Sequence, residues 1–265
     1  MRSHTSDSYL DIALTPRQQR RLERKTTKAD RQQHKNSTVP DNVVHMHHRP
    51  EVKPIYPKNE NQSRLMEFLK SPECEQVIVT GPAGTGKSFV SMVHAADMFN
   101  HGKIKKIVIT RPNVGCSNNT IGLLPGSLEE KMAAWLAEPI SILKSRLGEG
   151  VYEIALKRKD IEFVALEHIR GRSFSNAFIF VTEAQNTTVE EMTSIVTRVG
   201  ENSKLVLDGD VRQSDMGGEN GLSWAKSMVK SNLALARRSG VVDFSIDDCV
   251  RSGICQDWVR AIWYG

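Results

Sequence analysis

Residues 81–88 read Gly-Pro-Ala-Gly-Thr-Gly-Lys-Ser, and no other stretch constrains the fold of this chain so strongly. They fill every position of G-x-x-x-x-G-K-[ST], the loop that cradles phosphates. Gly81, Gly84 and Gly86 let the backbone turn tightly enough to aim successive N–H groups at phosphate oxygens, with Pro82, Ala83 and Thr85 completing the loop. Lys87 is a mobile positive charge for the β- and γ-phosphates, and the Ser88 hydroxyl suits a hard cation such as Mg²⁺. The flanks agree. Residues 76–80, QVIVT, form a short β-branched run that reads as a buried strand. From Ser88 to Phe99, apolar residues recur at helical spacing (Val90, Met92, Val93, Ala96, Met98). Strand, glycine loop and helix in this order put a helix N-terminus, with its positive dipole, against the anion.

The same periodicities extend along the chain. Strands are expected at 76–80, 104–110, 161–166, 177–182, 203–208 and 241–245, and helices at 61–70, 87–100, 127–147, 188–199 and 220–233. Leu65 and Leu69 share one face of the first helix. Ser127 with Glu130 and Thr188 with Glu191 have the spacing of capping boxes. Pro139 should kink or split its helix. Apolar strands alternating with helices imply an α/β fold, a mostly parallel sheet with helices on both faces. Within it the P-loop predicts a nucleotide-binding core.

Charge is distributed unevenly. The chain carries a net charge of +5, yet residues 16–36 hold eight Lys and Arg against Glu23 and Asp30, so the remainder is close to neutral. Residues 1–53 are polar, basic and poor in large apolar side chains, and are expected to be a flexible arm preceding a domain over 54–265. Such an arm suits a polyanion as well as it suits a solubilising tail. His45, His47 and His48 within it lack partnering cysteines or carboxylates for a metal. The four cysteines, Cys74, Cys116, Cys249 and Cys255, show no C-x-x-C spacing and read as thiols of a reducing compartment. No window is apolar enough for a membrane span, and the N-terminus lacks a secretory h-region, so a cytoplasmic protein is expected.

Two further strand ends carry polar clusters. Residues 177–181, AFIFV, run into Thr182-Glu183-Ala184-Gln185. A strand-end carboxylate here fits the base that activates water in a P-loop ATPase, which assigns that role to Glu183 and a γ-phosphate or coupling role to Gln185. The alternative for Glu183 is a solvated strand-end side chain. Residues 204–207, KLVL, run into Asp208-Gly209-Asp210-Val211-Arg212-Gln213. Gly-Asp-x-x-Gln at the carboxyl end of an open α/β sheet reads as a helicase-type motif that links the γ-phosphate to a polynucleotide through Gln213.

Together these strings resemble the PhoH-like proteins, single-domain P-loop ATPases related to superfamily-one helicases and found in bacteria and phages. The resemblance runs over about residues 54–262. It includes Arg111-Pro112, Leu124-Pro125-Gly126, Arg170-Gly171-Arg172-Ser173-Phe174, Glu183-Ala184-Gln185-Asn186-Thr187-Thr188 and Val250-Arg251. It implies a RecA-like P-loop NTPase fold, ATP and Mg²⁺ as cofactors, ATP hydrolysis, and single-stranded RNA or DNA as a partner. In a phage it would place the chain in the host cytoplasm. Gln62, one helix before the first strand, is expected to read the adenine edge, the alternative being a capping amide. Arg111, Arg170, Arg172 and Arg251 are candidates for phosphate, with surface ion pairs as the alternative. Because two-domain helicases bind nucleotide between domains and this chain has room for one, Arg251 is expected to reach into a neighbouring subunit of a homo-oligomer, for instance a hexameric ring. A nucleotide-regulated binding protein with weak turnover and, further off, a small-molecule kinase are the competing readings.

One departure from the family pattern stands out. The usual Asp-Glu-Ala-Gln begins here with Thr182, and the usual Thr-Gly-Asp begins with Asp208. If the two strands are neighbours, Asp208 can supply the metal-shell carboxylate that Thr182 lacks, making Ser88, Thr182 and Asp208 the candidate metal residues. The alternative is an ATPase with weakened metal binding.

Overall fold

A computed structural model describes residues 53–112, 135–215 and 218–264. Six strands form one parallel sheet: β1 (Gln76–Thr80), β2 (Lys106–Arg111), β3 (Ile161–Ala165), β4 (Ala177–Val181), β5 (Lys204–Gly209) and β6 (Ser239–Asp243). Their order across the sheet is β3-β2-β4-β5-β1-β6. The P-loop strand β1 therefore has β5 and β6 as neighbours, and β5 separates it from β4.

Strand alternation divides the core in two. Val77 and Val79 of β1, Phe178 and Phe180 of β4 and Val206 of β5 face one layer. That layer is built from α1 (Glu60–Lys70), α2 (Lys87–Asn100), α3 (Ala137–Leu147) and α4 (Glu149–Lys157). Ile78, Ile179, Val181, Leu205 and Leu207 face the opposite layer, where Met192 and Ile195 of α5 (Val189–Val196) and Leu222, Ala225 and Val229 of α6 (Gly221–Ser231) pack. Burial on both faces is why these strands read as continuous apolar runs. Helices α7 (Leu233–Arg238) and α8 (Ile254–Tyr264) complete the described chain.

The expected α/β architecture is observed, with local differences. Leu65 and Leu69 are buried as their spacing implied. Thr188 and Glu191 form a reciprocal capping box at the start of α5. The box at Ser127 and Glu130 lies outside the described residues. Trp135 is helical, Leu136 is a turn and α3 begins at Ala137, so the helix is split as expected, with Pro139 in the first turn of α3, where a missing N–H breaks no helical bond. Helices α4, α7 and α8 were not expected. Gly148 separates α3 from α4, and Asn232 ends α6 while capping α7 through bonds from Ala234 and Leu235. Nine and six residues leave α4 and α7 too few turns for a periodic signal, whereas α8, with 11, is as long as helices that were expected.

Candidate nucleotide-binding site

The carboxyl ends of β1, β4 and β5 open onto a cleft of about 280 Å³. Gly86 has φ of 84°, and a Cβ there would come within 2.7 Å of Gln62 Nε2, so the loop needs glycine for conformation and for space. Helix α2 begins at Lys87. The Lys87 ammonium donates to the carbonyls of Gly81 (2.8 Å) and Pro82 (2.9 Å), folded back along its own loop. Ser88 Oγ donates to Asp208 Oδ2 at 2.6 Å.

Alternation explains that contact. Asp208 follows Val206 on β5 by two residues and so faces the same layer, where α2 starts. Val79 pairs with Asp208 across β1 and β5, and Val181 pairs with Leu207 across β4 and β5, which brings Thr182 level with Asp208. Asp208 is 3% exposed. Burial pushes its carboxyl up from the ordinary value. Lys87 and the Ser88 hydroxyl pull it back, and the charges of Glu183 and Glu138 push it up again.

Glu183 follows Thr182 with φ of 54°, a left-handed conformation that costs a non-glycine residue about 1 kcal/mol or more. The turn directs the chain so that Glu183 lines the cleft. Gln185 is buried beneath it. Its Nε2 donates to Glu183 Oε2 at 2.7 Å, and its Oε1 accepts from the Asp210 amide at 3.0 Å. Gln185 thus works as a strut between two strand-end turns, without lining the cleft itself. Gly209 permits this, since a Cβ there would stand 2.3 Å from Gln185 Oε1. Gln213, on a 3₁₀ turn over Val211–Gln213, is exposed at the cleft.

Gln62 and Arg251 both make contacts with the P-loop of their own chain. Both ends of the Gln62 amide are engaged: Oε1 accepts from the Lys58 amide (2.9 Å) and Nε2 donates to the Thr85 carbonyl (2.8 Å). Gln62 therefore braces the P-loop, and each end of its amide keeps capacity for one further hydrogen bond. Arg251 lines the cleft of its own chain. Its Cγ and Cδ lie 3.1 Å from where a Gly84 Cβ would be, and the neighbouring Val250 amide donates to the Gly84 carbonyl at 2.9 Å. The other arginines follow the ion-pair alternative or pack on aromatic rings. Arg170 pairs with Glu190 (2.7 Å) and Arg172 with Glu162 (2.6 Å), while Arg111 donates to the Trp135 carbonyl and lies over its ring.

Sequence reasoning missed Glu138, which reaches the cleft from the first turn of α3, and gave Val250, seen only beside Arg251, no role. No motif marked Glu138, because only the packing of α3 brings it there. Asp210 was seen as part of a motif but given no role. It is 6% exposed, and its Oδ2 has no hydrogen-bond partner.

The donor set fits a magnesium nucleotide. Glu138, Glu183, Asp208 and Asp210 line the cleft with Lys87 and Arg251, an acidic excess that calls for a cation beside the phosphates. Among the described residues no group of three His, Cys, Asp or Glu could hold a metal by itself.

Parallel sheet, P-loop and strand-end acids define a P-loop NTPase with a RecA-like core, a nucleotide-binding class. Residues 54–263 match the family described as PhoH-like protein, and the chain belongs to that family. It is 35% identical over 216 residues to Protein PhoH of Escherichia coli (strain K12), covering 80% of this chain and 59% of that protein. It is 41% identical over 152 residues to the PhoH-like protein of Bacillus subtilis (strain 168), covering 57% of this chain and 47% of that one. The chain thus spans about half to three-fifths of these relatives' length. Among solved structures, the large terminase of a thermophilic bacteriophage in complex with ADP is similar at a TM-score of 0.44 and 13% identity, over 78% of this chain and 50% of that one.

Proposed function

We propose that this chain is an Mg²⁺-dependent ATPase whose cycle is coupled to single-stranded RNA or DNA. The observation that carries the reading is the Gln185 strut, which ties the Glu183 carboxylate to the Gly209-Asp210 turn that leads to Gln213. A base and an exposed turn linked by one buried amide move together, so a strand held near Gln213 can adjust the base.

Hydrolysis follows from the groups in the cleft. On binding ATP, Lys87 exchanges the Gly81 and Pro82 carbonyls for phosphate oxygens, a stronger charge-assisted contact. Glu183 takes a proton from water as the water oxygen bonds to the γ-phosphorus. The bond to the β-bridging oxygen breaks, and ADP and phosphate leave. Arg251, from the same chain, offsets charge on the transferring group. Ser88 and Asp208 would hold Mg²⁺, which supplies positive charge at the phosphates. The basic arm over residues 1–53 adds sequence-independent attraction for a polyanion. Self-assembly and a cytoplasmic setting belong to the same reading.

A nucleotide-regulated binding protein with weak turnover is favoured by one observation, the uncharged Thr182 at the end of β4. Phosphate release with and without single-stranded RNA and DNA separates the two. The ATPase reading expects strand-stimulated turnover in the natural chain. It also expects Glu183→Gln to bind a fluorescent ATP analogue normally while hydrolysing ATP at least about a hundredfold more slowly. Turnover unmoved by Glu183→Gln would remove Glu183 from the chemistry. Turnover that RNA and DNA leave unchanged would remove the coupling.

A further inference from the structure

P-loop ATPases draw the carboxylate of the magnesium shell from the end of the catalytic strand. In this chain that strand is β4, and Thr182 follows it. A threonine brings oxygen but no charge. One strand closer to the P-loop, β5 ends in Asp208-Gly209, and the Asp208 carboxylate accepts the Ser88 proton at 2.6 Å. The strand order makes this contact direct. Neighbouring strands lie about 4.8 Å apart, and β5 stands one strand nearer to β1 and its P-loop than β4 does.

We infer that Asp208, not the residue at position 182, is the acidic member of the magnesium shell, acting with Ser88 on the strand next to the P-loop. The inference rests on the ATPase reading and deepens it. Three observations support it. With its proton donated to Asp208, Ser88 keeps its lone pairs for a hard cation. Lys87 is turned onto the Gly81 and Pro82 carbonyls, so the hydrogen-bond partner of this deeply buried carboxylate is a neutral hydroxyl. A buried carboxylate so placed is costly unless a cation joins it. Finally, Thr182 and Asp208 stand level on adjacent strands and line one cleft, so one cation site can be served from either position.

Mn²⁺ serves as the probe, its free concentration read by electron paramagnetic resonance during titration of the full chain with ADP. Binding of a fluorescent ADP analogue in EDTA reports the nucleotide site separately. Asp208→Asn should raise the Mn²⁺ concentration for half-saturation by about tenfold or more. Metal-free ADP should bind it as well as before or tighter, because a negative charge has left the neighbourhood of the phosphates. Thr182→Asp alone should not tighten Mn²⁺, since it crowds a further carboxylate against Asp208 and Glu183. The exchanged variant, Thr182→Asp with Asp208→Thr, preserves charge and hydroxyl and should recover most of the Mn²⁺ affinity that Asp208→Asn loses. It carries the test if Asp208→Asn does not fold. The inference is overturned if half-saturation is unmoved in Asp208→Asn, or if the exchanged variant binds Mn²⁺ no better than Asp208→Asn does. Failure of the natural chain to bind ADP in EDTA or with Mn²⁺ would instead overturn the ATPase reading, and this inference with it.

Discussion

Helix α2 carries Lys87 and Ser88 at its start, and about two turns on it carries His94, whose Nε2 is buried with no hydrogen-bond partner. Its ring lies 6.2 Å from that of Phe178 on β4. Burial pushes the imidazole down from 6.5 to about 4. The Lys204 ammonium acts in the same direction, and Asp97 opposes it. An unfolded chain has no such penalty, so between those values the unfolded state binds a proton that the folded state refuses. Stability is therefore full above pH 6.5 and falls as pH drops, until the folded value near 4 is passed. At about 1.4 kcal/mol per unit, the whole interval is worth about 3 kcal/mol, and the part between pH 7.5 and pH 5 about 2 kcal/mol. His94→Leu keeps most of the volume and removes the titration. Urea unfolding at pH 7.5, 6.5, 5.5 and 5.0, followed by circular dichroism, should show the natural chain losing about 2 kcal/mol relative to the variant across that range. Carboxylates titrate in both proteins and cancel in the difference. Two curves that stay parallel within about 0.5 kcal/mol would refute the argument, because His94 would then be protonated as easily in the folded chain as in the unfolded one.

Lys87→Ala should weaken ATP by about 3 kcal/mol, roughly a hundredfold, in a titration with a fluorescent ATP analogue, and a natural rate of phosphate release in that variant would end the P-loop assignment. Gly209→Ala should drive a methyl group into Gln185 Oε1 and Leu222, sever the strut, and destabilise the fold by about 1–3 kcal/mol. Phosphate release should drop while nucleotide affinity holds, and equal loss of both would mean that the strut supports the whole cleft instead of the base. Removal of residues 1–50 should leave the unfolding midpoint in place and flatten the salt dependence of binding to single-stranded RNA, read by fluorescence anisotropy. An unchanged salt slope would assign the arm to something other than polyanions.

What the sequence determined by itself was local. Three glycines, a lysine and a serine at fixed spacing, flanked by a β-branched run and an amphipathic stretch, specify strand, loop and helix because the backbone conformations and the phosphate contacts arise within a dozen neighbouring residues. The capping box at Thr188 and Glu191 was legible for the same reason, as were the apolar strands that demanded a covered parallel sheet. Glu183 was legible as a strand-end acid, although its left-handed turn was not. The tertiary structure decided what depends on strand order. Only the placement of β5 between β1 and β4 brings Asp208 onto Ser88 across 120 residues of chain. The same holds for Gln62 bracing Thr85, Arg251 resting against Gly84, and Glu138 entering the cleft from α3. A spacing rule sees residues one or two turns apart. Contacts between distant segments are set by which strands pair and which faces they bury, a property of the whole sheet that no single segment encodes.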